Sequence, residues 1–581
     1  MAIGFFPTMI LLSQLLYFLS VTIFFALGTC QNSSSPLTSF SEKNTNPLPI
    51  ETIFKLPSPL PTWPSGGGFA SGKIELGGLE VCQISSFTKI WATREGGPNN
   101  LGATFFDPSQ IPEGFFMLGS YAQPNDRALF GGVLAGKDTT GDPSNGTLKQ
   151  PTDYTLVWSS ESANIAQDGN GYIWLPTPPD GYKAVGHVVT NSPDKPSLDK
   201  VRCVRSDFTD PSENDAWIWG KDNGINVYGF RPSTRGVQAL GVPIGTFLAL
   251  TSGAVTASLP CLKNVKANLS SMPNPSQVQA LIQSYSPWIY LHPDEEYLPS
   301  SVSWFFRNGA LLYKKGDESN PVSIDPLGSN LPQDGSNDGA YWLDLPSDQA
   351  AKQQVKKGNL TDAGVYLHVK PMLGATVTDV AIWVFYPFNG AAKAKLEIVN
   401  VSLGKIGEHI GDWEHLTLRV SNFNGELTSV YFSQHSAGVW LSASELEFQG
   451  GNKPVTYSAL HSHAFSPIAG LVLDGSGGIG IRMDTAKGEA VMDTGARFLE
   501  VAAEYFDSAV VEPPWLNYTR EWGPKIDYNV VDETNKVAKV LPWFLRQKFR
   551  QFVSSLPNEV LGEEGPTGPK MKDSWSGDER T

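Results

Sequence analysis

Cysteine is scarce in this chain of 581 residues: Cys30, Cys82, Cys203 and Cys261 are the only ones. Four thiols cannot staple so long a chain, and without a Cys-x-x-Cys pair a thiolate zinc site has no ligands. Basic residues are outnumbered, 43 Lys and Arg against 58 Asp and Glu, for a net charge of −15. Nucleic-acid binding needs a basic face, so that balance excludes a nucleic-acid partner. Catalytic signatures are missing as well. There is no nucleophile elbow and no His-Glu-x-x-His, and the glycine-rich stretches at 66–68 and 102–119 lack the Lys-Ser/Thr of a phosphate loop. Glycine (57), proline (43) and aromatic residues (11%) are abundant instead, while charged residues make up only 17%. Short aromatic and branched runs between Gly- and Pro-rich turns mark a mostly β protein. A hydrophobic fraction of 40% is enough for buried cores.

The first thirty residues read as a targeting segment. Phe5 to Leu27 is almost wholly apolar, the first charge is Glu42, and Ala26 and Gly28 satisfy the small-x-small cleavage rule. A cleaved signal peptide over 1–30 is expected, with an uncleaved membrane anchor through residues 5–27 as the alternative. Either places the chain in the secretory pathway, extracellular or vacuolar. Six glycosylation sequons, at Asn32, Asn145, Asn268, Asn359, Asn400 and Asn517, agree with that route. One disulfide among Cys82, Cys203 and Cys261 would fit an oxidising compartment.

Residues 31–65, rich in Ser, Thr, Asn and Pro, read as a flexible leader. Residues 66–261 contain three similar units. Phe87–Trp91, Tyr154–Trp158 and Trp217–Trp219 each start one, and each closes on a Gly-apolar-x-x-apolar-Gly stretch: Gly114–Gly119, Gly181–Gly186 and Gly236–Gly241. First glycines 67 and 55 residues apart imply one structural unit used three times, a pseudo-threefold β-repeat domain whose Trp and Phe residues meet in a shared core. Residues 262–285 read as a linker entering a helix with Val278, Leu281, Ile282 and Tyr285 on one face. Over 286–558 the strand candidates Ala381–Tyr386, Leu416–Val420, Ser429–Phe432 and Leu471–Leu473 suggest a β-sandwich with peripheral helices, one of them over 541–553. Residues 559–581 read as a flexible tail.

Five of the eight histidines, His409, His415, His435, His461 and His463, fall within one stretch of the second domain. The densest segment is Glu408-His409-Ile410-Gly411-Asp412-Trp413-Glu414-His415. Two residues apart on a strand, Asp412 and Glu414 point to one face, and His409 can turn to the same point across the Ile410-Gly411 bend. Adjacent carboxylates repel unless a proton or cation lies between them. Oxygen ligands with one imidazole suit a divalent cation such as Ca, Mg or Mn, and a salt-bridged strand end is the simpler alternative.

Ile173-Trp174-Leu175-Pro176, Pro179–Tyr182, Gly186 and Val201–Asp207 resemble the adaptor-binding repeats of the large vacuolar protein sorting lipid-transfer proteins, which implies a protein-binding β module. Tyr341–Pro346, Gly411–His415 and Glu564–Lys570 resemble a plant family grouped with yeast vacuolar protein sorting-associated protein sixty-two. That likeness covers nearly everything from residue 50 onward but carries no mechanism. More distantly, Glu408–Glu414 is similar to the Gly-His-Arg-His-Asp-Trp-Glu hallmark of the necrosis- and ethylene-inducing peptide-like toxins. Tyr386–Asn389, Ser433–Gly438 and His461–Phe465 follow the order of that family's other motifs. The resemblance implies Asn389, His409, Asp412 and Glu414 as metal ligands, with Asn389 in place of an Asp, and Trp413, His415, His435, His461 and His463 beside the ligand. In those toxins the cation sits beside a site for sphingolipid sugar headgroups.

Together these readings predict a metal-dependent, lectin-like binding protein for a glycan or sphingolipid headgroup, acting at a membrane surface, with a protein partner at the β-repeats. Two alternatives stand beside it: a metal-dependent hydrolase with His435, His461 or His463 as general base, and a trafficking adaptor without a metal.

Overall fold

A computed structural model describes residues 48–579 apart from Pro143, 221–223, 252–258, 435–436, Gly477, 526–527, Pro557 and 563–564. The signal segment, Cys30 and the Asn32 sequon lie outside these residues, as does His435.

Each of the three units in the first region contains six strands with the same pairing. In the first unit, Leu79–Ile84, Phe87–Ala92, Ala103–Pro108, Phe116–Met117, Tyr121–Pro124 and Val133–Asp138 form two sheets. Strands two, three and five make one sheet, and strands one, six and four make the other. The second unit (148–205) and the third (209–263) repeat that topology. Just before Trp91, Trp158 and Trp219 the strand register slips, leaving Ile90, Val157 and Ile218 as bulged residues. In a regular strand a residue and its successor face opposite ways. The bulge turns both the branched residue and the Trp inward, where all six join one core with Phe105, Ile173 and Phe247. The three indoles touch one another, with ring centroids 5.9, 5.6 and 5.6 Å apart. The pseudo-threefold core expected from the sequence is therefore present.

The third unit closes later than its sequence suggests. Ile244-Gly245, rather than Leu240-Gly241, holds the place of Leu118-Gly119 and Val185-Gly186 ahead of the fifth strand. Backbones cross tightly there: a Cβ on Gly119 would lie 2.8 Å from the Cα of Gly186. Cys82, Cys203 and Cys261 stand apart as buried free thiols, so the expected disulfide is not formed among them. Burial raises the Cys82 thiol to about 11 and the Cys203 thiol to about 12.

Helix Pro275–Tyr285 opens the second region, with Asn274 and Gln277 forming a reciprocal cap at its N-terminus. The expected face, Val278, Leu281, Ile282 and Tyr285, is buried. Behind it lies a six-stranded sheet in the order Ala437–Ser442, Leu427–Gln434, His409–Ser421, Val377–Asn389, Val365–Met372 and Phe498–Ala502. Alternation along Val377–Asn389 gives the sheet two apolar faces. Val380, Ile382, Val384 and Tyr386 pack against the helix and a second sheet carrying Ile289, Phe465 and Met492. Ala381, Trp383 and Phe385 pack against helix Val302–Arg307 and the rings of Trp515, Tyr518, Trp522 and Trp575. The predicted sandwich thus has a third, aromatic layer.

Three further expectations differ from the structure. Residues 48–65 pack rather than forming a free leader: Ile50 is buried, Ser58 hydrogen-bonds Asn452, and Trp63 contacts Phe69 and Tyr285. The helix expected over 541–553 starts only at Arg546 and runs to Ser554; a separate helix, Val530–Val540, precedes it, and Pro542 keeps the two from joining. Residues 565–579 are not a loose tail but return to the central sheet. Trp575 stacks on His368 at 3.9 Å between ring centroids, and Asp578 accepts from Arg419 and Arg235, each at 2.8 Å. Among the described residues no helix is long and apolar enough to cross a membrane.

Candidate functional site

The strand His409–Ser421 begins at one end of the sandwich, where its neighbour Val377–Asn389 ends with Asn389 paired to His409. Gly411 makes that start possible. Its φ is +76°, and a Cβ there would lie 2.4 Å from the carbonyl oxygen of Trp522. Beyond it the side chains alternate, so Asp412 and Glu414 face the second sheet while Trp413 and His415 face the aromatic layer and the C-terminal segment.

Asp412 is the hub on the first face. Its Oδ1 lies 3.2 Å from His409 Nε2 and its Oδ2 lies 2.8 Å from His463 Nδ1. The far nitrogens of both rings face acceptors, Gly407 O for His409 at 3.2 Å and Tyr297 O for His463 at 3.1 Å. His463 also stacks on Tyr386, with ring centroids 3.8 Å apart. Burial alone would raise the Asp412 carboxyl, yet hydrogen bonds from the two imidazoles outweigh it and hold the group well below the usual carboxylate range. Glu414 accepts from Ser433 Oγ, which in turn accepts the His415 backbone N–H at 3.1 Å. The turn carrying His463 is strained: both His461 (φ +70°) and His463 (φ +56°) adopt the left-handed conformation.

The other expected residues have separate partners. His461 directs Nδ1 to Ala391 O (3.1 Å), and its backbone N–H donates to Glu295 (2.6 Å), away from Asp412. His415 sits on the opposite face, 2.9 Å from Glu579 Oε2. Asn389 donates its amide to Gly390 O (3.0 Å) and Gly407 O (2.7 Å). Of the four residues implied as metal ligands, His409 and Asp412 are thus bonded to each other and all four line one cleft. As folded they do not form a cation cage. Asp412 has an imidazole on each oxygen, and among the described residues no three His, Cys, Asp or Glu side chains are placed to hold a metal ion.

The cleft has a volume of about 360 Å³. Besides the residues already named, Arg482, Ser462, Tyr431 and the C-terminal stretch Lys572–Ser574 line it. Sequence reading missed Arg482, Glu295 and that stretch, since none stands near the histidine-rich motifs. Glu579 was missed as well. Its carboxylate is buried against His415, Thr417 Oγ1 (2.5 Å) and Lys370 Nζ (3.7 Å). Burial raises it, but His415, Lys370 and Thr417 more than compensate and bring its pKa down to about 2. His187 and His368 are buried away from the cleft, and burial lowers His187 to about 4.

The profile of the family described as vacuolar protein sorting-associated protein 62 matches residues 50–579. The chain belongs to that family. No curated protein sequence matches it. Among solved structures, part of this family member is similar to GNIP1Aa from Chromobacterium piscinae, at 19% identity over 36% of this chain and 40% of that one, with a TM-score of 0.27. The chain therefore spans well under half of that protein. It is also similar to NLPPya in complex with glucosamine, at 13% identity over 34% of this chain and 70% of that one, with a TM-score of 0.19. A third is Necrosis and Ethylene inducing Protein 2 from the causal agent of cocoa's Witches Broom disease, at 18% identity over 31% of this chain and 74% of that one, with a TM-score of 0.15.

Proposed function

We propose that this vacuolar sorting family member is a binding protein of the secretory pathway whose cleft at the end of the sandwich receives a sugar, free or as a glycolipid headgroup. The observation that carries this reading is the cleft's lining. The carboxylates of Asp412 and Glu414 supply acceptors, the Arg482 guanidinium, which also pairs with Asp484, supplies donors, and the serine hydroxyls can act as either. Such alternation matches the paired donors and acceptors of a polyhydroxylated ring. Catalysis has less support. Ser433 is bonded to a carboxylate rather than an imidazole, so no activated nucleophile is assembled there.

A second reading keeps the divalent cation. Asp412 and Glu414 emerge two residues apart on one face, and Asn389 is paired with His409 in register. An ion would need Asp412 to exchange at least one imidazole for the metal.

Titration of hexoses, hexosamines and glycolipid headgroups against the wild type and Arg482→Ala, with and without chelator, tests both readings. Loss of one charged hydrogen bond should weaken sugar binding about tenfold or more. Absence of sugar binding, or affinity unchanged by Arg482→Ala, defeats the sugar reading. A melting temperature and affinity indifferent to chelator defeat the cation reading alone.

A further inference from the structure

The helical hairpin near the C-terminus carries a feature that the cleft does not explain. Helices Val530–Val540 and Arg546–Ser554 meet at a corner formed by Leu541–Leu545. Leu541 and Leu545 turn inward and join Val537, Ala538, Phe549 and Val553 in a core with Leu396, Leu403 and Ile406. The remaining apolar residues turn outward. Trp543 is 81% exposed, Val540 78% and Phe544 52%, with the two rings edge-on at 6.0 Å. Arg546 braces the corner by donating from Nε to Leu541 O at 3.0 Å and from Nη2 to Lys539 O at 3.2 Å.

The local charge runs against that of the whole chain. Between Glu533 and Glu559 lie Lys536, Lys539, Arg546, Lys548 and Arg550 and no acidic residue, in a protein of net charge −15. Lys536 pairs with Glu533 and Lys548 with Glu397, whereas Arg546 and Arg550 meet neutral oxygens.

We infer that this corner is a membrane-docking wedge, in which Val540, Trp543 and Phe544 enter the interfacial layer of an anionic bilayer while the flanking Lys and Arg engage its headgroup phosphates. Three observations favour a bilayer over a protein partner. The apolar residues sit on a tight corner between two helices rather than across a helix face or groove. Trp and Phe flanked by basic residues is the composition of interfacial anchors. The surrounding positive charge complements an anionic lipid surface. The buried Leu541 and Leu545 hold the corner in shape, so insertion requires no prior ordering. The inference is independent of the cleft, because anionic phospholipid without any sugar headgroup is its ligand.

The test is sedimentation of the full chain with vesicles of phosphatidylcholine, with and without phosphatidylserine, at low and high salt. The wild type should bind the phosphatidylserine vesicles and bind less at high salt. Trp543→Ser/Phe544→Ser should weaken that binding about tenfold or more. Lys539→Glu should weaken it while leaving the apolar residues in place. All three positions are exposed, so melting temperatures should stay at the wild-type value. Binding that is equal for wild type and the double variant overturns the inference. Absence of binding to either vesicle overturns it too, and an accompanying loss of self-association in the double variant would assign the corner to a second copy of this chain.

Discussion

Replacing Glu579 by Gln should release the C-terminal segment from the central sheet, and the structure sets the size of the effect. The carboxylate is buried, accepts from Thr417, and faces His415 and Lys370. Its pKa falls from 4.5 to about 2 on folding. At about 1.4 kcal/mol per unit, ionised Glu579 contributes about 3 kcal/mol to holding the segment closed. Because the folded pKa is depressed, that contribution is complete above pH 4.5 and disappears as the pH falls toward about 2. Gln keeps the shape but not the charge, and leaves Lys370 and His415 without their anion. Hydrogen exchange at Gly577, whose N–H bonds Asp573 O at 3.1 Å, reads the opening locally. At neutral pH, exchange at Gly577 in Glu579→Gln should be about a hundredfold faster than in wild type. Between pH 4.5 and pH 2 the two should converge as the wild-type carboxylate becomes protonated. Equal exchange at pH 7 would refute the reasoning, as would a difference that persists once Glu579 is protonated.

Trp219→Ala should cost about 3–5 kcal/mol, because it opens a cavity where the three indoles meet. A denaturant midpoint within error of wild type would remove the shared core from the account. Gly411→Ala should destabilise by at least about 1 kcal/mol, since it adds left-handed strain to a clash with the Trp522 carbonyl. Wild-type stability in that variant would mean that the strand start relaxes freely.

Much of the architecture was already determined by local pattern. Repeated Trp-terminated runs and spaced glycines encode three copies of one unit, because each copy must bury the same apolar face. The continuous apolar run Ala381–Tyr386 encodes a strand covered on both sides, whereas Leu416–Val420 alternates and marks only one apolar face. The separation of Asp412 and Glu414 by one residue places both on one face of any strand, and the structure keeps them there. Other features depended on contacts between residues distant in sequence. Only the packed chain shows that His415 turns away from Asp412 toward a carboxylate 164 positions later. No local pattern in Gly565–Glu579 announces burial, because what buries that segment is the complementary charge of Arg235, Lys370 and Arg419, all distant in sequence. The same holds for the Asp412 hub. Sequence supplied the two carboxylates, and only tertiary structure brought His409 and, from a turn 51 residues away, His463 onto the two oxygens of Asp412.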